Sequence, residues 1–266
     1  MLLLVAGCNS GVKNEPASTP LPSERVARIL GTTFANSTTQ TARMVAHGDE
    51  SALLPDYIEG FARRLSDDCP VTEGDLTDQD GDGFAVRQQI VYREDDCRFS
   101  VGEIGLELSG TILSEDDDDT DAASGFRFNT LPDAPLVLTQ NDTEIFRAAY
   151  SLATTPSEMG FAVSEQTSLR YANIGSFDYD LAFDLLSDVP GERGSGPVEI
   201  TGNLAWGYND DDYALTVGSS DLLLDAGCTY GFASGTLTLS DNAAPPNLVT
   251  IEYRCNDYRV ATEGLR

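Results

Sequence analysis

The stretch FDYDLAFDL, residues 177–185, decides the fold class of this chain. Its apolar positions are Phe177, Tyr179, Leu181, Phe183 and Leu185. Its acidic positions are Asp178, Asp180 and Asp184. Because successive side chains of a β-strand point to opposite faces, this alternation predicts a strand with one buried and one solvated face.

The same alternation recurs on both sides of this stretch, from residue 84 to residue 262. Apolar residues with a period of two include Ile90, Tyr92, Ile104, Leu106, Leu108, Leu204, Trp206, Tyr208, Leu215, Val217, Leu222, Leu224, Leu237 and Leu239. Val249, Ile251, Tyr253 and Cys255 close the series, so we expect Cys255 on the buried face. Polar turn sequences separate the runs, which indicates about ten to twelve antiparallel strands rather than a buried parallel sheet.

The section before this β body has helical spacing. Ser23 is a capping residue ahead of a first helix, and the polar stretch Thr38–Thr41 is expected to end it. A second amphipathic helix is predicted over about 49–65. His47, the only histidine, falls between the two helices. We interpret it as an ordinary loop residue rather than as a general base or a metal ligand.

These patterns together predict the fold class. We expect a mainly β (α+β) chain in which a long antiparallel meander, residues 67–262, curls into a barrel- or sandwich-like sheet. One or two helices from the helical section, residues 23–66, pack against that sheet. Residues 23–266 form a single domain, since β-rich domains of this length are common.

The charge balance excludes one class of partner. The chain of 266 residues has 44 Asp and Glu against 16 Lys and Arg, a formal net charge of −28. Such a surface repels phosphates, so nucleic acid is not an expected partner.

The N-terminus reads MLLLVAGCNS. Val5, Ala6, Gly7 and Cys8 resemble the lipobox of bacterial lipoproteins, position by position. The resemblance implies that residues 1–7 are a cleaved signal peptide remnant and that Cys8 carries the lipid. The stretch is short and has no Lys or Arg, so we expect the natural start to lie upstream.

The resemblance also implies a location. No Asp follows Cys8, which in this family favours the outer membrane of the cell envelope. Residues 8–22 contain Pro16, Pro20 and Pro22 and are expected to form an extended, lipidated tether. No later stretch reaches the 18 or more apolar residues of a membrane helix. The membrane is therefore the expected partner, through the anchor on Cys8.

Four cysteines remain, and they allow three pairings. An exported chain can keep disulfides, and the most economical pairing is Cys69 with Cys97 and Cys228 with Cys255. Zinc binding by the four is the alternative, but no pair has the close CxxC spacing of zinc sites.

Between the first two cysteines lies DQDGDGF, residues 78–84. This DxDxDG run resembles the calcium loops of EF-hands, dockerins and thrombospondin type 3 repeats. The resemblance implies calcium ligands at Asp78, Asp80 and Asp82, with Phe84 binding through its carbonyl. The alternative is a solvated acidic turn.

The run departs from an EF-hand at loop position twelve, where Gln89 replaces the bidentate Glu. Asp75, Asp95 or Asp96 are candidates to supply the missing ligand. The acid run Glu115–Asp119 is either a second cation site or, more commonly for such runs, a solvated loop.

No GxSxG, HExxH, P-loop or dinucleotide motif is present. The sequence is therefore more typical of a non-catalytic, lipid-anchored binding or structural module with structural calcium, which binds an apolar ligand or an envelope protein. The alternative is a secreted carboxylate-dependent hydrolase with a calcium-stabilised loop.

Overall fold

The computed structural model describes residues 19–47, 69–101, 103–157, 160–187 and 193–265. The predicted lipobox with Cys8, most of the tether and the predicted second helix lie outside the described residues. The elements are α1 (Glu24–His47), β1 (Val71–Asp75), β2 (Arg87–Tyr92), β3 (Arg98–Val101), β4 (Ile104–Asp116), β5 (Phe126–Thr130), β6 (Leu136–Gln140), β7 (Thr143–Ser157), β8 (Gly160–Tyr171), β9 (Gly175–Leu186), β10 (Ser195–Tyr208), β11 (Asp211–Asp225), β12 (Phe232–Ser240), β13 (Leu248–Arg254) and β14 (Asp257–Glu263).

The strands of the described residues all belong to one 14-stranded antiparallel sheet, which confirms the predicted meander. The number of strands exceeds the predicted ten to twelve because two positions in the sheet are each occupied by two shorter strands. β2 and β3 pair with different parts of β4, and β5 and β6 lie end to end between β4 and β7.

The strand β9 has the predicted faces. Phe177, Tyr179, Leu181, Phe183 and Leu185 are buried, while Asp178, Asp180 and Asp184 are exposed. β9 pairs with β8 and β10 along most of its length, so this strand lies in the middle of the sheet.

The sheet curls around helix α1. Phe34 of α1 meets Tyr179 of β9 edge-on, with ring centroids 5.8 Å apart. Gly31 of the same helix faces Val249 of β13 and Val260 of β14 so closely that an added Cβ would lie 2.7 Å from a Val260 methyl carbon. Because β9 and β13 are separated by three strands in the sheet, both reach one helix only if the sheet is curved. The helix therefore occupies the concave side.

The predicted end of the first helix at Thr38–Thr41 is wrong, because α1 continues to His47. The residues Thr38–Thr41 are buried, and two of them find partners across the fold. The Thr38 hydroxyl bonds to the Tyr253 hydroxyl at 2.8 Å, and Thr41 donates to Glu165. Tertiary contacts thus outweigh the weak helix propensity of threonine. His47 is correspondingly the last residue of a helix, not a loop residue.

Residues 19–22 of the expected tether already lie against the sheet. The Thr19 amide donates to the Asp212 carbonyl at 3.1 Å, and the Leu21 amide donates to the Asp241 carboxylate at 3.0 Å. Leu21 is buried. Within the part of the chain that the structure describes, no helix is both long and apolar enough to cross a membrane.

Both predicted disulfides, Cys69–Cys97 and Cys228–Cys255, are formed. The first joins the start of β1 to the β2–β3 turn, and the second joins the β11–β12 loop to the β13–β14 turn. The expectation that Cys255 lies on the buried face of a strand is wrong. β13 ends at Arg254, so Cys255 is in the turn and is only half-buried.

Candidate metal site

The loop 78–84 joins β1 to β2 and is held by its own carboxylates. The Gly81 amide donates to Asp78 at 2.8 Å, the Asp82 amide to Asp80 at 3.1 Å and the Phe84 amide to Asp82 at 2.8 Å. Gly81 and Gly83 have positive φ angles of 74° and 96°, which favour glycine. The DxDxDG spacing thus folds the loop back on itself.

This fold brings three carboxylates together. Ligand oxygens of Asp78, Asp80 and Asp82 all lie within 4.8 Å of one another. Three oxygens at that separation can coordinate one cation, so the cluster can hold a metal ion. Phe84, the fourth predicted ligand, lies two positions after Asp82; its ring is buried and stacks on Phe126 with centroids 3.8 Å apart.

The acid run Glu115–Asp119 lies beside this loop instead of forming a separate site. The Gln79 amide donates to Asp119 at 3.0 Å, and Asp116 accepts a bond from the Ser124 hydroxyl at 2.8 Å. One further carboxylate oxygen on each of Asp80, Asp116 and Asp119 is inaccessible to solvent and has no hydrogen-bond partner among the described residues.

The electrostatics of the cluster are those of crowded anions. Burial raises the pKa of Asp80 above its usual range, and the negative charges of Asp82 and Asp116 raise it further. Burial also raises the pKa of Asp116, with additional repulsion from Asp82 and Asp119. The cluster is therefore short of positive charge, and a bound cation would relieve this repulsion.

One cation of the chain itself reaches the loop. Arg193 precedes β10 and donates to the Asp82 carboxylate at 2.8 Å and to the Asp82 carbonyl at 2.9 Å. Its guanidinium lies over the rings of Phe84, Phe126 and Phe161, at 4.6, 5.2 and 5.7 Å from their centroids. Arg193 fixes the position of Asp82 at the inner side of the loop. Sequence reasoning missed it, because no local motif links two residues 111 positions apart.

The candidates for the missing ligand, Asp75, Asp95 and Asp96, are not part of the carboxylate cluster. Asp75 accepts bonds from the Thr77 hydroxyl and amide, which lower the pKa of Asp75. Asp95 is exposed and lies 3.6 Å from Arg98, and Asp96 is in the same turn. Gln89 is within β2, paired with Glu73 and Leu113.

The other concave features of the described residues include two open grooves. One, of about 670 Å³, runs along the N-terminal half of α1 between Arg25, Arg28, Ile29 and Ile174. The second, of about 570 Å³, lies across β7–β10 and includes Ser151, Ser168, Asp180 and Asn203. The inner side of the sheet is in contact with α1 at β8, β9, β13 and β14.

No protein-family model, no curated protein and no solved structure matches this chain. The site must therefore be interpreted from its own chemistry.

Proposed function

We propose that this chain is a lipid-anchored protein of the cell envelope, a non-catalytic binding or structural module with a structural calcium ion in loop 78–84. The lipobox Val5–Cys8 supports the anchor, and the outer membrane is the favoured location. The membrane is then a partner through Cys8.

The observation that carries the calcium assignment is the convergence of two acidic segments. Asp78, Asp80 and Asp82 offer clustered oxygens, and Asp116 and Asp119 border them with buried oxygens that have no hydrogen-bond partner. All these donors are oxygens, and no histidine or cysteine takes part. Hard oxygen donors favour calcium or magnesium over zinc, and calcium accepts the six or more oxygens that five carboxylates and the Phe84 carbonyl would offer.

A structural role follows from where the loop is attached. Asp119 connects the loop to the β4–β5 connection, and Arg193 connects it to the start of β10. An ion bound among these segments would hold three parts of the sheet together. We assign no catalytic step to it.

The tether joins the body at the end of β10 that lies opposite the calcium loop. Arg193 precedes the first residue of β10, whereas Asp212, which receives the Thr19 amide, follows the last. A strand of 14 residues spans about 45 Å at roughly 3.3 Å per residue. An apolar ligand or envelope protein would meet one of the two open grooves, along α1 or across the outer face of β7–β10.

The anchor is tested by fractionating cells that express the full chain or its Cys8→Ser variant. We expect the wild type in the membrane fraction and labelled by a fatty-acid probe, and the variant released and unlabelled. Membrane retention of an unlabelled Cys8→Ser variant would contradict the lipid anchor. Native mass spectrometry of the released chain would show one calcium per chain and any co-purified ligand.

A further inference from the structure

Glu165 is a carboxyl group in the interior of the protein that the proposed function does not use. It lies on β8, is 2% exposed and faces helix α1. The Thr41 hydroxyl of α1 lies 3.0 Å from both carboxyl oxygens, and the Thr167 hydroxyl donates to one of them at 2.9 Å. The carboxyl group therefore connects α1 directly to the sheet.

The groups that surround Glu165 are hydroxyls. Tyr179 of β9 also bonds to Glu165, and it bonds in turn to Ser37 of α1. Tyr150 of β7 is the next titratable group, close to Tyr179. Tyr253 of β13 bonds instead to Thr38.

The nearest cation along the helix is Arg43, which is half-buried. It is two positions from Thr41, and residues with this spacing do not share a helix face. Arg43 is not among the groups that perturb Glu165. Of the described residues, those that act on this carboxyl group supply hydrogen bonds and no opposite charge.

We propose that Glu165 is a pH-sensitive latch, which holds α1 against the sheet while it is protonated and loosens that contact when it ionises. A protonated carboxyl group needs no counter-ion: it can accept a bond from Thr167 and donate its own proton to the Thr41 hydroxyl, which can turn its hydrogen to the Ser37 carbonyl 3.4 Å away. An ionised one would leave an uncompensated charge in the interior, which is costly. The hydroxyl donors offset only part of that cost.

The pH range follows from the protonation of the folded and unfolded states. Burial raises the pKa of Glu165 to about 7, whereas bonds from Thr167, Thr41 and Tyr179 lower it. In the unfolded chain the group has its ordinary value of 4.5. Below that value both states bind the proton. Between 4.5 and about 7 only the folded state does, so stability falls as pH rises through this window. The full shift corresponds to roughly a 300-fold increase in the unfolding equilibrium constant.

The test compares urea unfolding of the full chain, its Glu165→Gln variant and its Glu199→Gln variant from pH 5 to pH 8, with calcium in fixed excess. Glu199 is an exposed carboxylate on β10 and serves as the matched control. We expect the unfolding equilibrium constant of the wild type and of Glu199→Gln to rise roughly 70-fold more across this range than that of Glu165→Gln, because pH 5 to pH 8 covers most but not all of the full shift. Equal pH dependence of the wild type and Glu165→Gln would overturn the proposal.

A second measurement on the wild type does not depend on a folded variant. It measures hydrogen exchange of the α1 amides at residues 37–45 and of the β12 amides at pH 6 and at pH 8. The rates are corrected for the intrinsic exchange rate at each pH, and the change in protection is compared between the two elements. We expect protection of α1 to fall more than protection of β12. Equal changes in both elements would also contradict the latch.

Discussion

Arg193 and Asp82 form an ion pair in the interior, with 2.8 Å between Nη2 and Oδ2 and with the two side chains 7% and 2% exposed. This pair ties the acidic β1–β2 loop to the start of β10. Other ion pairs among the described residues, such as Arg254–Glu252, are largely exposed. Because the pair is buried and Arg193 also donates to the Asp82 carbonyl, it is a stronger connection between loop and sheet than an exposed ion pair.

Removing the buried cation should be costly. We expect Arg193→Met to lower the free energy of unfolding by about 3–5 kcal/mol, because Asp82 would stay buried without its partner. The double variant Arg193→Met/Asp82→Asn should recover part of that loss. The matched control is Arg254→Met in the exposed pair, which should leave the urea midpoint unchanged. If Arg193→Met and Arg254→Met lowered the free energy of unfolding by similar amounts, burial would not be what makes the Arg193–Asp82 pair costly to break.

The two disulfides should stabilise the fold by similar amounts. Their sequence separations are 28 and 27 residues, and a closed loop of that length is worth about 3 kcal/mol in the chain-entropy model. We therefore expect Cys69→Ser/Cys97→Ser and Cys228→Ser/Cys255→Ser each to lose about 3 kcal/mol in urea unfolding. A pair whose removal changes nothing would be incidental to stability.

Gly110 marks the place where β4 passes the junction of β5 and β6. Its φ is 127°, and an added Cβ would lie 2.4 Å from the Pro135 carbonyl oxygen. We expect Gly110→Ala to cost about 3 kcal/mol or more through backbone strain and this collision. Gly218→Ala on β11 is the control, because its Cβ would meet no atom within 4 Å. If thermal melts of the two variants agree, the strain argument fails.

The sequence predicts those parts of the fold and site that depend on neighbouring residues. The alternation of 177–185 identifies β9 because strand periodicity is local. The DxDxDG run predicts the cluster of Asp78, Asp80 and Asp82 because their spacing alone brings them together.

Features that depend on distant residues were not predicted. α1 continues through Thr38–Thr41 because Tyr253 and Glu165 supply partners 215 and 124 positions away. The acid run reaches the metal loop because β2 and β4 pair with Arg87 opposite Glu115. That register cannot be inferred from a run of like charges.

The most direct test of the structural calcium site is the melting temperature of the full chain with excess calcium and with chelator. At calcium one hundredfold above its Kd, we expect about 2.7 kcal/mol of stabilisation, an increase of about 5–10 °C. Asp80→Asn should abolish the increase and Asp116→Asn should reduce it, while Asp133→Asn in an exposed turn should leave it intact. A wild-type melting temperature that is the same in calcium and in chelator would contradict the calcium site.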